Sequence, residues 1–371
     1  MTFALNEDQT LLKDAAEGFF ADKAPVSAFR KLRDDKQTLN LALWADIGAM
    51  GFAGALIGED HGGTAMGYRA LALVLEEQAK GLGASPLLQT GWIASQALSM
   101  FGSAQQCAHY LAAVAAGNMT FAFACDEGPH HKIGPYATTY SDGKVTGKKR
   151  FVPDGTVAQM LLVAVTLGDG TTGLVLVDAA LQGVMRTALH SVDARDLADI
   201  SFDGAAGDLL GGKGYALSHI DALLDVARMG VCAEMLGLTA AAYDMTLDYL
   251  KTRTQFGQLI GSFQALQHRA SAMLVEMELT RSCVIAAFDA LETAGLSQLD
   301  GIKRAQAVSL AKARAGDTMH LVTNEMIQMH GGIGMTDAHD SGFYIKRARV
   351  LETQYGSSAF HRDRWAGLNG Y

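Results

Sequence analysis

The chain has 371 residues, 49% of them hydrophobic and 19% charged. That is too long for one small core, so two or three packed subdomains are expected. A formal net charge of −9 excludes a general nucleic-acid surface, which needs clustered Lys and Arg, but leaves room for local anion sites such as Lys148-Lys149-Arg150 or Arg228 with Arg253.

From Asn6 to about Gly117 apolar residues recur at helical spacing, as in Leu11, Leu12, Ala15 and Phe19 and again in Leu71, Val74 and Leu75. Gly48 to Gly51 and His61 to Gly63 read as turns, and Pro86 closes the helix that carries Glu76 and Glu77. Those two glutamates read as exposed helix charges in preference to a catalytic pair. Between Met119 and about Ala216 the period becomes that of strands, with turn signals at Asp142-Gly143 and Gly168-Asp169-Gly170. Candidate strands are Thr120–Ala124, Ala137–Tyr140, Lys144–Val152, Leu161–Thr166, Gly173–Val177 and Asp199–Phe202. The adjacent His130 and His131 lack a second ligand cluster and read as loop residues, not metal ligands.

Long helical patterns return at Ala222–Leu250, Phe263–Leu291 and Leu299–Met329, with a fourth expected after His339; antiparallel, they make a bundle. Tyr249 to His268 interrupts them with a cation, a flat ring, two glycines and two amides. It reads either as an anion clamp, with Arg253 as a planar fork for a phosphate and Gln264 as donor and acceptor, or as a helix-helix turn with a solvated Arg. Gln328-Met-His-Gly-Gly-Ile-Gly334 repeats the recipe. The domains expected from these shifts are 1–118 (helical), 119–217 (β) and 218–371 (helical bundle). Cys107, Cys125, Cys232 and Cys283 form no C-x-x-C pair, the amino terminus lacks a basic region followed by an apolar run, and no apolar run is long enough to span a membrane. A reducing cytoplasm is the expected compartment.

The Arg253-x-x-Phe256-Gly257 segment followed by Gly261-Ser-Phe-Gln264, with Gln328-x-His-Gly-Gly-Ile-Gly334 after it, resembles the FAD-dependent acyl-CoA dehydrogenase family. The likeness covers nearly the whole chain. It implies an amino-terminal helical domain, a small β-barrel or sandwich and a carboxy-terminal four-helix bundle: a mainly α fold with a central β domain. It further implies FAD held across a subunit interface by Arg253, Phe256, Gln264, Gln328, Met329, His330, Gly331 and Gly332, an acyl-CoA substrate with Arg228 as a CoA contact, an electron-transfer flavoprotein or similar acceptor, and a tetramer acting in fatty-acid or steroid side-chain catabolism. Val145 to Gly155 resembles the strand against the flavin ring, but Pro153 stands where the family usually has Thr or Ser, so a hydroxyl and an N–H are missing.

Family members take the α proton of the thioester with a Glu at one of two places. Here those places hold Tyr355 and Ala227. A phenol with a pKa near about 10 is a poor base at neutral pH. Glu234, about 10 Å along the helix from Ala227, and Glu352 are the displaced candidates. Losing both bases resembles the non-catalytic chain of bacterial heterotetrameric acyl-CoA dehydrogenases. The rival readings are a catalytically silent scaffold and a homotetramer with a displaced base.

Overall fold

The computed structural model describes residues 4–293 and 298–371. Helices occupy the first part: α1 (Glu7–Lys23), α2 (Val26–Asp34), α3 (Leu41–Ala49), α4 (Tyr68–Lys80), α5 (Ser95–Phe101) and α6 (Ala104–Ala115). Two of these starts are written in the sequence as capping boxes, Asn6 with Gln9 on α1 and Ser103 with Gln106 on α6, each pair satisfying two otherwise unpaired N–H groups. Between Pro86 and α5 the chain forms a π-helix, Leu87–Ala94, all of it buried. Helix α4 ends at Lys80, well before Pro86, which does not close it as expected but caps the π-helix instead; the wide turn that follows has no sequence signature.

Strands follow: β1 (Phe121–Ala124), β2 (Thr139–Ser141), β3 (Lys144–Pro153), β4 (Met160–Leu167), β5 (Thr172–Asp178), β6 (Val184–Ala188), β7 (Leu197–Ala206) and β8 (Asp208–Leu209). They form one sheet in the order β6-β7-β3-β2-β4-β5-β8, with β1 parallel to β4. The apolar run of β4 is buried at nearly every residue, while β7 alternates. Leu161, Val163, Val175, Val177, Ile200 and Phe202 supply much of the core. β6 has no strand signal in the sequence, because Val184–Ala188 is mostly exposed and has no inward apolar alternation.

After the sheet come α7 (Leu217–Thr252), a hairpin of β9 (Thr254–Gln255) and β10 (Gln258–Leu259), and then α8 (Gln264–Thr293), α9 (Gln298–His330), α10 (Ser341–Thr353) and α11 (Ser358–Leu368). The mainly α architecture with a central sheet and closing long helices is the one expected. The chain divides into two compact units. One comprises Met1–Phe29, Ala72–Gly83 and Val231–Tyr371, and the other Arg30–Leu71 and Ala84–Gly230.

Within the first unit one expectation is corrected. Glu76 and Glu77 are not exposed helix charges but are buried. Gly237 on α7 lies so close to α4 that a Cβ there would overlap the Glu76 carbonyl, which brings the two helices together over both carboxylates. Burying them is tolerated because each has a cation: Arg281 Nη1 lies 3.0 Å from Glu76 and Lys80 Nζ 2.7 Å from Glu77.

Candidate functional site

Of the clamp residues of the first unit, Arg253 and Phe256 lie at a tight hairpin. Phe256 and Gly257 both take positive φ (53° and 78°), the geometry of a two-residue turn that matches strand twist. The turn lifts the Phe256 ring into solvent, 90% exposed. Arg253, just before β9, and Gln264, the first residue of α8, are exposed and have no side-chain hydrogen bond or ion pair among the described residues. Gln328, two residues before the end of α9, is in the same condition. Gly331 has φ 63° and, like Gly332, has no atom within 4 Å of where a Cβ would stand, so the backbone there is open to close approach.

Met329 and His330, expected to belong to the same clamp, turn the other way and are buried, because they fall on the inward face of α9. His330 donates from Nδ1 to the Met326 carbonyl at 2.7 Å and its ring stacks on Tyr249, centroids 4.4 Å apart. Burial lowers its pKa. Its imidazole is thus engaged inside the helix end.

Neither family base position carries a carboxylate. Tyr355 is buried with φ 54°, and His361 Nε2 lies 3.1 Å from its carbonyl oxygen. Ala227 is fully buried in α7. Of the displaced candidates, Glu234 is held by Arg347 at 2.6 Å, and Glu352 by Arg349 and by His320 at 3.1 Å. Both carboxylates are thus engaged in ion pairs within the fold.

In the second unit the basic run Lys148-Lys149-Arg150 does not form one anion site. Strand alternation turns Lys148 outward and buries Lys149, and Arg150 reaches Asp199 at 3.3 Å. Lys149 donates to Glu127 at 2.8 Å and lies over the Tyr136 ring at 4.2 Å. Burial alone would raise the Glu127 carboxyl, but hydrogen bonds from Lys149, Thr138 and Ala137 outweigh it and hold its pKa below the usual range.

Arg228, expected as a CoA contact, has a fully buried side chain bound to Asp221 and Asp225, each at 2.8 Å. Its Nη2 is 3.3 Å from His131 Nε2, whose Nδ1 is 2.8 Å from Asp126. A guanidinium can only donate, so Nε2 accepts and Nδ1 carries the proton to Asp126. His131 is thus no plain loop residue: it joins its loop to α7. Cys125, Asp126 and His131 bring ligand-type atoms within 4.8 Å of one another. Both ring nitrogens are already engaged and a guanidinium stands beside them, so the arrangement serves as a hydrogen-bond network.

The acyl-CoA dehydrogenase N-terminal domain family model matches residues 6–118 and the C-terminal domain model residues 212–367. The chain belongs to the acyl-CoA dehydrogenase family. A probable acyl-CoA dehydrogenase, YngJ of Bacillus subtilis (strain 168), is 25% identical over 98% of each chain. Acyl-CoA dehydrogenase IpdE2 of Mycolicibacterium smegmatis is 26% identical over 93% of each. Among solved structures, a variant of the Tcur3481-Tcur3483 steroid ACAD superposes with a TM-score of 0.87 at 29% identity over 98% of each chain. The ChsE4-ChsE5 complex from Mycobacterium tuberculosis superposes at 0.89 with 23% identity over the full length, a likeness of fold. The protein is accordingly an FAD-dependent oxidoreductase of acyl-CoA thioesters.

FAD fits the first unit's clamp. Arg253, Gln264 and Gln328, unpartnered among the described residues, with an outward aromatic ring and open glycine backbone, are the donors and clearance that a diphosphate and a flat ring require. The corresponding strand fits less well. Pro153 ends β3 paired with Leu197 and offers no N–H, and Phe151 before it takes φ 52°. No helix among the described residues is long and apolar enough to cross a membrane.

Proposed function

We propose that this chain is the subunit of a heterotetrameric α2β2 acyl-CoA dehydrogenase that completes the FAD site without supplying the base. The observation that carries the reading is a split: Arg253, Gln264 and Gln328 are exposed and without a side-chain partner among the described residues, while both base positions hold residues that cannot accept a proton at neutral pH. The likeness to a steroid ACAD named for two components, Tcur3481 and Tcur3483, supports it.

Desaturation removes the proton α to the thioester carbonyl as the β hydrogen leaves as hydride. FAD, when bound, supplies the hydride acceptor. Arg253 binds a phosphate through its fork, Gln264 and Gln328 satisfy polar edges, and Gly331 and Gly332 let the cofactor lie against bare backbone. The proton goes to a Glu of the partner chain, and the electrons leave to an electron-transfer flavoprotein or similar acceptor.

The clamp has to be covered for this arrangement to work. Phe256, Leu259, Leu274, Val275, Leu279 and Met335 are all exposed on the first unit, and such apolar surface suits a subunit contact. Stopped-flow reduction tests the reading. The chain alone should leave its flavin oxidised with any acyl-CoA, and adding a Glu-containing partner should speed bleaching by about 10²–10⁴. Bleaching by the wild-type chain alone would overturn it.

A further inference from the structure

Trp92 lies on the π-helix and is fully buried. Its indole N–H donates to the Val226 carbonyl at 2.7 Å, directly before the base position Ala227. One helical step on, at i+3 from Ala227 and so on the same face, Gly230 has no side chain where the π-helix presses in. A Cβ there would come 3.0 Å from Trp92 Cδ1 and Nε1 and 2.5 Å from Leu88 Cδ1. The other side of the π-helix is equally tight: at Gly91 a Cβ would stand 3.2 Å from the Ala53 carbonyl oxygen. The Tyr68 ring closes the indole's flank, centroids 5.6 Å apart.

A base at position 227 can work only if the thioester's α carbon lies beside that residue, which brings the acyl chain along the same face of α7. That face is taken by Trp92. We propose that Trp92 is a plug for an acyl slot: it fills the space beside Ala227 into which the fatty or other apolar tail of a CoA thioester would thread, so that this chain excludes the acyl group. The proposal rests on the subunit reading above and adds what replaces substrate at the vacant base. The π-helix is part of the device, because its wide turn sets Trp92 over Val226 and Gly230.

The purified full chain tests it by titration calorimetry with hexanoyl-CoA and with CoA lacking an acyl group. Wild type should bind both alike or neither. Trp92→Ala opens an indole-sized space, and burial of two methylenes is enough to favour hexanoyl-CoA by about tenfold. Trp92→Phe keeps a ring in the core and removes the second one; it should show a preference of about fourfold, one methylene's worth, and is the variant read if the alanine protein does not fold. A folded variant with no preference, or no binding of hexanoyl-CoA, overturns the plug, as does a tenfold preference in wild type. Bleaching of the wild-type flavin by acyl-CoA would overturn the subunit reading instead, so the two failures are distinct.

Discussion

The ammonium of Lys312 donates to the Gly356 carbonyl at 3.1 Å and to that of Leu351 at 3.2 Å, tying the middle of α9 to the turn that carries Tyr355. Lys312 is fully buried, and the carbonyls it meets include one near the end of α10, where peptide oxygens lack helical partners and carry partial negative charge. Lys312→Met should therefore cost about 1–3 kcal/mol, the penalty of leaving buried acceptors unmet, as read by urea unfolding. Amide exchange at residues 354–357 should rise with it. An unchanged unfolding midpoint would show that these contacts contribute nothing.

Glu76 gives the stability a pH dependence. Burial raises its carboxyl above the ordinary 4.5, with Arg281 opposing. The folded state therefore holds this proton more tightly than the unfolded chain does. From this group, stability is greatest below 4.5 and declines as pH rises through the raised folded value. Unfolding of wild type and Glu76→Gln across that range should show a falling slope in the former that is weaker in the latter. Parallel curves would remove Glu76 as the cause.

The double change Arg253→Ala, Gln328→Ala should give protein that purifies without flavin colour, since a phosphate loses a charge-assisted fork and the ring system a polar contact. Absorbance in the flavin band against protein concentration reads this directly. Yellow protein of unchanged affinity would mean the clamp faces something else.

Glu234 and Glu352 are bound by arginines, and on the subunit reading neither takes a proton from substrate. Glu234→Gln and Glu352→Gln in the assembled enzyme should each leave kcat within about twofold, well short of the roughly 10²–10⁴ that losing a general base removes. A fall of that size in either variant would identify the displaced base.

Much of the architecture was legible because it rests on period and punctuation. The long helices, the turn glycines and the continuous apolar run of β4 are all local signals. What escaped depends on contacts between distant segments. Glu76 looks like a surface charge until Gly237 and Arg281, far along the chain, approach and pair it, and its neighbour Glu77 is buried with it although its cation, Lys80, is local. His131 looks like a loop residue until Arg228 supplies a donor. The clamp was readable as residue types, but its division into outward Arg253, Gln264 and Gln328 and inward Met329 and His330 follows from helix phase, which the motif alone does not state. The plug was invisible because no sequence pattern announces a π-helix.

The hairpin at Phe256 and Gly257 is already folded in the isolated chain, with an aromatic residue held in a left-handed conformation that few side chains adopt. On the subunit reading, its ordering entropy is thus spent before any encounter between the chains. Loosening that turn by Phe256→Gly is expected to leave each subunit folded yet slow their recognition of one another, a kinetic defect visible in assembly time courses and absent from melting curves.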